Sequence, residues 1–87
     1  MQNSENIPSY TELSYIEALK QLSPREIQVL DLLIDGFTNQ DIADELFLSK
    51  NTIETHKKNI CLKLNIKGMK FLIRWGVKAK YKRNSNN

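Results

Sequence analysis

The sequence contains few of the residues that define disulfide-rich, repetitive or membrane-spanning proteins, since its 87 residues include one cysteine, two prolines and three glycines. A single cysteine excludes a disulfide within the chain and fits a reducing compartment. The low proline and glycine content argues against collagen-like and low-complexity chains. No apolar run is long enough to span a bilayer, and the polar N-terminus lacks the basic start and apolar core of a signal peptide. We therefore predict one small cytoplasmic domain without a membrane partner.

The sequence also lacks the residue groups on which catalytic and metal sites depend. It contains no recognisable nucleophile–base pair, carboxylate pair, metal-ligand cluster or phosphate-binding loop. His56 has no second ligand at metal spacing, so we interpret it as packing against a helix or contacting a phosphate. We interpret Cys61 as a small buried apolar residue, because no motif supports a redox role. We therefore expect a binding module, with no enzymatic activity, no metal and no cofactor.

Charge is divided unevenly along the chain. Residues 1–49 carry two basic and nine acidic residues, a net charge of −7, whereas residues 50–87 carry eleven basic residues and one acidic residue, a net charge of +10. This asymmetry predicts an anionic partner for the C-terminal half, with nucleic acid as the leading candidate. A solvated basic tail remains the alternative.

Capping signals divide the chain into helices. Serine or threonine precedes an acidic residue by three positions at Ser9, Ser23 and Thr38, a pattern typical of helix starts. Pro24 occupies the first helical position after Ser23, and Gly36 ends that helix. The predicted helices lie over residues 10–20, from 24 up to Gly36, from Thr38 to Leu46, over 50–64 and over 69–80.

No strand pattern of alternating residues appears, so the chain is predicted to be all-α. The stretch from Thr38 to Lys58 has the form of a helix-turn-helix, although Phe47 stands in the turn, where many such motifs have glycine. We predict a four-helix bundle-like helix-turn-helix domain with an additional N-terminal helix. The predicted divisions are a disordered lead over 1–8, an N-terminal helix or linker over 9–21, the domain over 22–80 and a polar tail over 81–87.

Four linked motifs resemble the LuxR/FixJ/GerE family of bacterial DNA-binding domains: LSPRE (22–26), GFTNQDIA (36–43), LFLSKNTIETH (46–56) and KLNIKG (63–68). The resemblance implies a four-helix domain near the nucleoid that binds double-stranded DNA as a homodimer and contacts the transcription machinery. It implies that the third helix enters the major groove and that the fourth pairs with its mate. Larger members carry a receiver or ligand-sensing domain, so we expect either a stand-alone effector or a fragment of a longer regulator.

The base-reading positions of the family correspond to Glu54, Thr55 and Lys58, on the helix face opposite Ile53. Lys58 is suited to donate to guanine O6 and N7, and the Thr55 methyl group to contact thymine. We hypothesise that Glu54 accepts from the cytosine amino group. The alternative is that Glu54 only pairs with a lysine at helical spacing.

Polar and basic residues around that face are the candidate phosphate contacts: Thr38, Gln40, Lys50, Asn51, Thr52, Lys57 and Lys63. The candidate dimer interface on the last helix is Phe71, Arg74, Trp75 and Lys78. For Trp75 the alternative is packing against the N-terminal helix of its own chain. Leu62 is predicted to face outward.

Two other functions keep a similar fold. A protein-interaction module, such as an adaptor or antagonist of another regulator, is favoured slightly by outward Leu62 and by acidic Glu54. A promoter-reading domain of a sigma factor is disfavoured by the KLNIKG ending and by the dimer-like last helix.

Overall fold

The computed structural model describes residues 14–85, and side chains over residues 14–81. Within this range the chain forms five helices and no strand, which confirms the all-α class. The helices are α1 (Tyr15–Leu19), α2 (Pro24–Ile34), α3 (Asn39–Leu46), α4 (Lys50–Leu64) and α5 (Met69–Ser85). The predicted lead over 1–8 and the Ser9 capping box lie outside the described residues, and Ser14 caps α1.

Side-chain caps form at the predicted starts of α2, α3 and α4, and the first two of them are reciprocal. The Ser23 hydroxyl accepts from the Glu26 backbone N–H at 3.2 Å, and the Glu26 carboxylate accepts from the Ser23 N–H at 2.9 Å. Thr38 and Asp41 make the same exchange at the start of α3. Ser49 caps α4 by accepting from the Thr52 N–H at 3.1 Å. These caps satisfy backbone donors that a helix start leaves without an intrahelical partner.

The turn between α3 and α4 places a phenylalanine in the left-handed region. Phe47 has φ 58° and ψ 45° and ends α3 where glycine is usual. The Leu48 N–H donates to the Ala43 carbonyl at 2.9 Å, which closes the turn. The Phe47 ring is 93% exposed, so the tight turn is made without burying a large side chain.

The core lies where α2 and α3 pack against α4. Its largest fully buried side chains include Leu30 of α2, Ile42 of α3, Ile53 and Ile60 of α4 and Leu72 of α5. Burying an aliphatic side chain of this size contributes about 1.5–3 kcal/mol. The apolar stripe of α4 is therefore held inward, which orients the opposite side of that helix toward solvent.

The last helix is longer than predicted. We expected it to end at residue 80 and to be followed by a polar tail, whereas α5 continues to Ser85. Residues 81–85 contain neither glycine nor proline, and lysine and arginine are good helix formers. Polarity alone therefore does not end a helix.

Trp75 belongs to the core of its own chain. It is 4% exposed, and its ring lies 6.1 Å from the Tyr15 ring of α1, centroid to centroid. The Tyr15 hydroxyl in turn donates to the Asp31 carboxylate of α2 at 2.9 Å. The structure therefore shows the alternative that we kept for Trp75, packing against the N-terminal helix of its own chain, and this packing leaves little of its surface for a dimer partner.

Candidate nucleic-acid interface

The side of α4 that faces away from the core is polar and basic. Ile53 and Ile60 are fully buried, whereas Asn51, Glu54, Thr55 and Lys58 are exposed, so the structure brings the three predicted base readers together on one surface. We call the exposed surface of these four polar residues the reading face. Because the core fixes the opposite side of α4, the reading face has a defined orientation relative to α3.

Two residues of the reading face make contacts that affect what they can recognise. The Thr55 hydroxyl donates to the Asn51 carbonyl at 3.1 Å, which satisfies the hydroxyl within the helix and leaves the methyl group for apolar contact. Glu54 lies 3.6 Å from the Lys57 ammonium, so the lysine pairing that we kept as an alternative is present in the structure.

Asn39 joins α3 to the reading face. Its Nδ2 donates to Glu54 Oε2, and its Oδ1 accepts from Lys57 Nζ at 2.7 Å. The Lys57 side chain is only 13% exposed, so the structure places this candidate phosphate contact mainly in an internal pairing. Sequence reasoning missed Asn39, although it stands in the GFTNQDIA motif between the two predicted contacts Thr38 and Gln40.

Some of the other candidate phosphate contacts are exposed to solvent, and others already make hydrogen bonds within the domain. Lys50 and Asn51 are exposed at the start of α4. Thr52 is half-buried, and its hydroxyl lies 2.9 Å from that of Ser49. At the start of α3, the Thr38 side chain caps the helix and the Gln40 amide donates to Asp44 at 2.8 Å.

Lys63, another candidate phosphate contact, is paired with a buried glutamate of α2. Its Nζ lies 2.8 Å from Glu26 Oε1, and this glutamate is buried at 4% exposure. Burial by itself would raise the pKa of Glu26, but hydrogen bonds from Lys63 and Ser23 lower it below the ordinary value. In the free domain the Lys63 charge therefore helps to keep a buried carboxylate ionised, and its role as a phosphate contact stays a prediction.

Lys63→Ala is expected to lower the free energy of unfolding by about 1 kcal/mol, since it leaves a buried acceptor with one partner fewer. For a domain of this size that corresponds to a fall in Tm of about 4–8 °C. Thermal denaturation followed by circular dichroism measures it. Lys67→Ala is the matched control, because Lys67 is exposed and forms no ion pair within residues 14–81. Equal Tm values for the two variants would contradict the structural role.

The pH dependence of this effect follows from the lowered pKa of Glu26. A carboxyl group with a lowered pKa contributes its full stability above the unfolded-state value of about 4.3. That contribution is lost as the pH falls through the folded-state pKa. The Tm difference between wild type and Lys63→Ala should therefore be largest near neutral pH and should shrink below pH of about 4.3.

A depression adjoins the reading face at the junction of α4 and α5. It is lined by Glu54, Thr55, Lys57, Lys58, Cys61, Gly68 and Met69. Cys61 is half-buried, and burial raises the pKa of its thiol, which leaves it protonated near neutral pH. Nδ1 of half-buried His56 is buried without a hydrogen-bond partner among the described residues. Within residues 14–81, no group of three or more potential metal ligands occurs.

The exposed side of α5 carries the rest of the predicted interface. Phe71, Arg74 and Lys78 are exposed, and Lys70 extends the basic row at four-residue spacing. Leu62 of α4 is 72% exposed, as predicted. Lys70, Phe71, Arg74 and Lys78 lie on the outer surface of α5, whereas Leu62 lies near the end of α4.

The C-terminal part of α5 is tied to α2 by a charged cluster. Lys80 Nζ lies 3.1 Å from Asp31 and 3.5 Å from Asp35, and the Tyr81 hydroxyl donates to Asp35 at 2.7 Å. Burial alone would lower the pKa of Lys80, but the two carboxylates raise it. Burial together with the Asp31 hydrogen bond raises the pKa of Tyr15 to about 12. These contacts direct Lys80 toward α2.

A short helix, a tight turn and a second helix with an exposed polar and basic face define a helix-turn-helix DNA-binding domain. The profile of the family described as "Bacterial regulatory proteins, luxR family" matches residues 20–75. The chain belongs to this family, which confirms the resemblance in the sequence and makes the chain a DNA-binding domain of the kind that regulates transcription. No helix in the described part of the chain is long and apolar enough to cross a membrane.

Individual relatives agree with this assignment. The chain is 42% identical over 64 residues to oxygen regulatory protein NreC of Staphylococcus epidermidis, a match that covers 74% of this chain and 29% of the relative. NreC of Staphylococcus haemolyticus is 39% identical over 69 residues, covering 79% and 32%. The crystal structure of full-length FixJ from B. japonicum matches with a TM-score of 0.66 at 35% identity, covering 75% of this chain and 32% of FixJ. The chain thus spans about a third of the length of these proteins.

Proposed function

We propose that the domain binds double-stranded DNA sequence-specifically as a homodimer, with α4 in the major groove, and so regulates transcription in the bacterial nucleoid. The observation that carries the proposal is the reading face, whose side chains stand on the first nine residues of α4 while the opposite side is fixed in the core. In helix-turn-helix proteins the N-terminal residues of the second helix contact base edges in the major groove.

The residues divide into base readers and phosphate contacts. Lys58 donates to guanine, the Thr55 methyl group contacts thymine, and Glu54 accepts from a base amino group. Lys50, Asn51 and Thr52, with the backbone N–H groups at Thr38 and Gln40, hold phosphates on either side, because positive charge and helix N-termini both attract anions. Lys57 contributes its charge through its pairing with Glu54 rather than as an extended phosphate contact.

The exposed side of α5 supplies the dimer contact in this proposal. Phe71 offers apolar area, while Arg74 and Lys78 flank it with positive charge. A closed two-fold contact uses the same patch on both chains. Two recognition helices related in this way read half-sites about 10–10.5 base pairs apart or a multiple of that spacing.

A binding-site selection from random duplex DNA at two salt concentrations tests the proposal. We expect enrichment of a two-fold symmetric motif whose half-sites are about one helical turn apart. Binding should weaken as salt rises, because phosphate contacts release counterions. Salt-sensitive binding without an enriched motif would contradict sequence specificity, and an asymmetric single half-site would contradict the dimer.

A protein-interaction module with the same fold is the second candidate. It is favoured by two exposed apolar side chains, Phe47 at 93% and Leu62 at 72% exposure, which the DNA proposal does not use. Absence of DNA binding at low salt would favour this candidate. Loss of partner binding on Leu62→Ser, with unchanged Tm, would then establish it.

A further inference from the structure

One amide side chain bridges the two helices of the helix-turn-helix. Asn39, the first residue of α3, donates through Nδ2 to Glu54 and accepts at Oδ1 from Lys57 Nζ at 2.7 Å. An asparagine amide carries both a donor and an acceptor, so it can satisfy a carboxylate and an ammonium group at once. These two charges determine the orientation of the Asn39 amide. The flipped amide would place Oδ1 against the Glu54 carboxylate and the NH2 group against the Lys57 ammonium.

The bridge leaves one carboxylate oxygen of Glu54 available. Asn39 Nδ2 contacts Oε2, and Lys57 Nζ lies 3.6 Å from the same oxygen. No hydrogen bond to Glu54 Oε1 is present within residues 14–81, and the Glu54 side chain is 58% exposed. The carboxylate is therefore held at one oxygen while the other remains an unused acceptor on the reading face.

The bridge also changes how this carboxylate behaves near DNA. An isolated acid would be repelled by phosphates, but the adjacent Lys57 charge offsets that repulsion. A glutamate fixed before binding also loses less side-chain freedom when it meets a base, since glutamate is among the side chains with the most rotamer entropy. Both effects favour base reading by Glu54.

We propose that Asn39 and Lys57 are positioning residues for base selection, because they hold Glu54 with Oε1 directed to accept from an exocyclic base amino group in the major groove. Cytosine N4 and adenine N6 are the groups of this chemistry exposed there. The inference rests on the proposed function, since it concerns which base that same reading face selects. Through Asn39, α3 would then contribute to the choice of base as well as to phosphate binding.

Asn39→Asp tests the inference with little change in shape. The variant keeps an acceptor for Lys57 but replaces the donor to Glu54 with a second carboxylate oxygen, and aspartate is favourable in the first turn of a helix. In a binding-site selection we expect Asn39→Asp and Glu54→Ala to lose the same single base preference, by about fivefold. Preferences at the positions read by Thr55 and Lys58 should remain.

Three further variants separate positioning from charge and from folding. Gln40→Glu adds the same negative charge one residue along α3, and should weaken binding to every sequence without changing base preference. Lys57→Arg, which preserves the cation, should retain the preference. The double variant Asn39→Asp/Glu54→Ala should lose no more of it than Glu54→Ala alone, because both changes act through one carboxylate.

The base preferences of each variant are compared with those of the wild-type domain, and its Tm is measured to show that it is folded. An Asn39→Asp variant that keeps the wild-type preference at every position would overturn the inference. So would a variant that loses affinity equally for all sequences, as a merely structural link between α3 and α4 would. Failure of the wild-type domain to enrich any motif would instead overturn the proposed function, so the two failures are distinguishable.

Discussion

Lys58→Ala is expected to reduce binding to the selected DNA site by about 1–3 kcal/mol and to relax base preference at one position of each half-site. Lys58 is exposed on the reading face beside Glu54 and Thr55, where its ammonium group reaches a base edge without first breaking an ion pair of the described residues. Competition binding with a panel of sites that differ at single positions measures both effects.

Lys50→Ala is the matched control for this prediction. Lys50 is also exposed on α4, but at its first residue, where we propose a phosphate contact. Its removal should weaken binding to all DNA sequences alike. It should also reduce by about one the slope of the logarithm of the binding constant against the logarithm of salt concentration. If Lys58→Ala and Lys50→Ala affect specific and random DNA equally, the division between base reader and phosphate contact is wrong.

Gly76→Val is expected to destabilise the folded domain by about 2–3 kcal/mol, which is the upper part of the range for overpacked cores. A Cβ atom at Gly76 would lie 2.6 Å from Ile34 Cγ1 and 2.7 Å from Ile34 Cδ1. Glycine at this position therefore allows α5 to approach α2 closely. The corresponding fall in Tm is roughly 10–20 °C for a domain of this size, and thermal denaturation measures it.

Two variants check the cause of this effect. Lys78→Val places the same β-branched residue on the exposed side of α5, where its helix-propensity cost is below about 1 kcal/mol. At Gly76 helix propensity favours valine over glycine, so a large loss of stability there must come from packing. Ile34→Ala removes the side-chain atoms that the new group would meet. The double variant Gly76→Val/Ile34→Ala should lose less stability than the two single variants added together. Simple additivity would show that the contact with Ile34 is not the cause.

Helix boundaries in the centre of the domain were predictable because they depend on neighbouring residues. The Ser23 and Thr38 capping boxes and the Ser49 cap form where the sequence pattern places them. The outward orientation of Glu54, Thr55 and Lys58 also follows from helical periodicity once Ile53 is assigned to the core. The end of α5 was mispredicted because no glycine or proline marks it.

The sequence was less informative about the partners of charged side chains. Lys63 and Lys58 both read as solvent-exposed lysines of one basic helix, yet Lys63 is paired with buried Glu26, 37 residues earlier in the chain. For Trp75 the sequence left two alternatives, a dimer interface or packing against the N-terminal helix, and the structure packs it against Tyr15 of α1. In each case the partner comes from a distant segment, and local periodicity contains no information about such contacts.

The sequence by itself determined the family, the helix-turn-helix and the face of α4 that we propose reads DNA, because caps, helical spacing and linked motifs are local properties. Only the tertiary structure decided which polar groups of that region remain available. In the folded domain Lys63 forms an ion pair with buried Glu26, and Trp75 packs against Tyr15 in the core. Asn39 is hydrogen-bonded to both Glu54 and Lys57. The physical reason is that a buried or neighbouring charge must find a partner in space, and the fold alone brings such partners together.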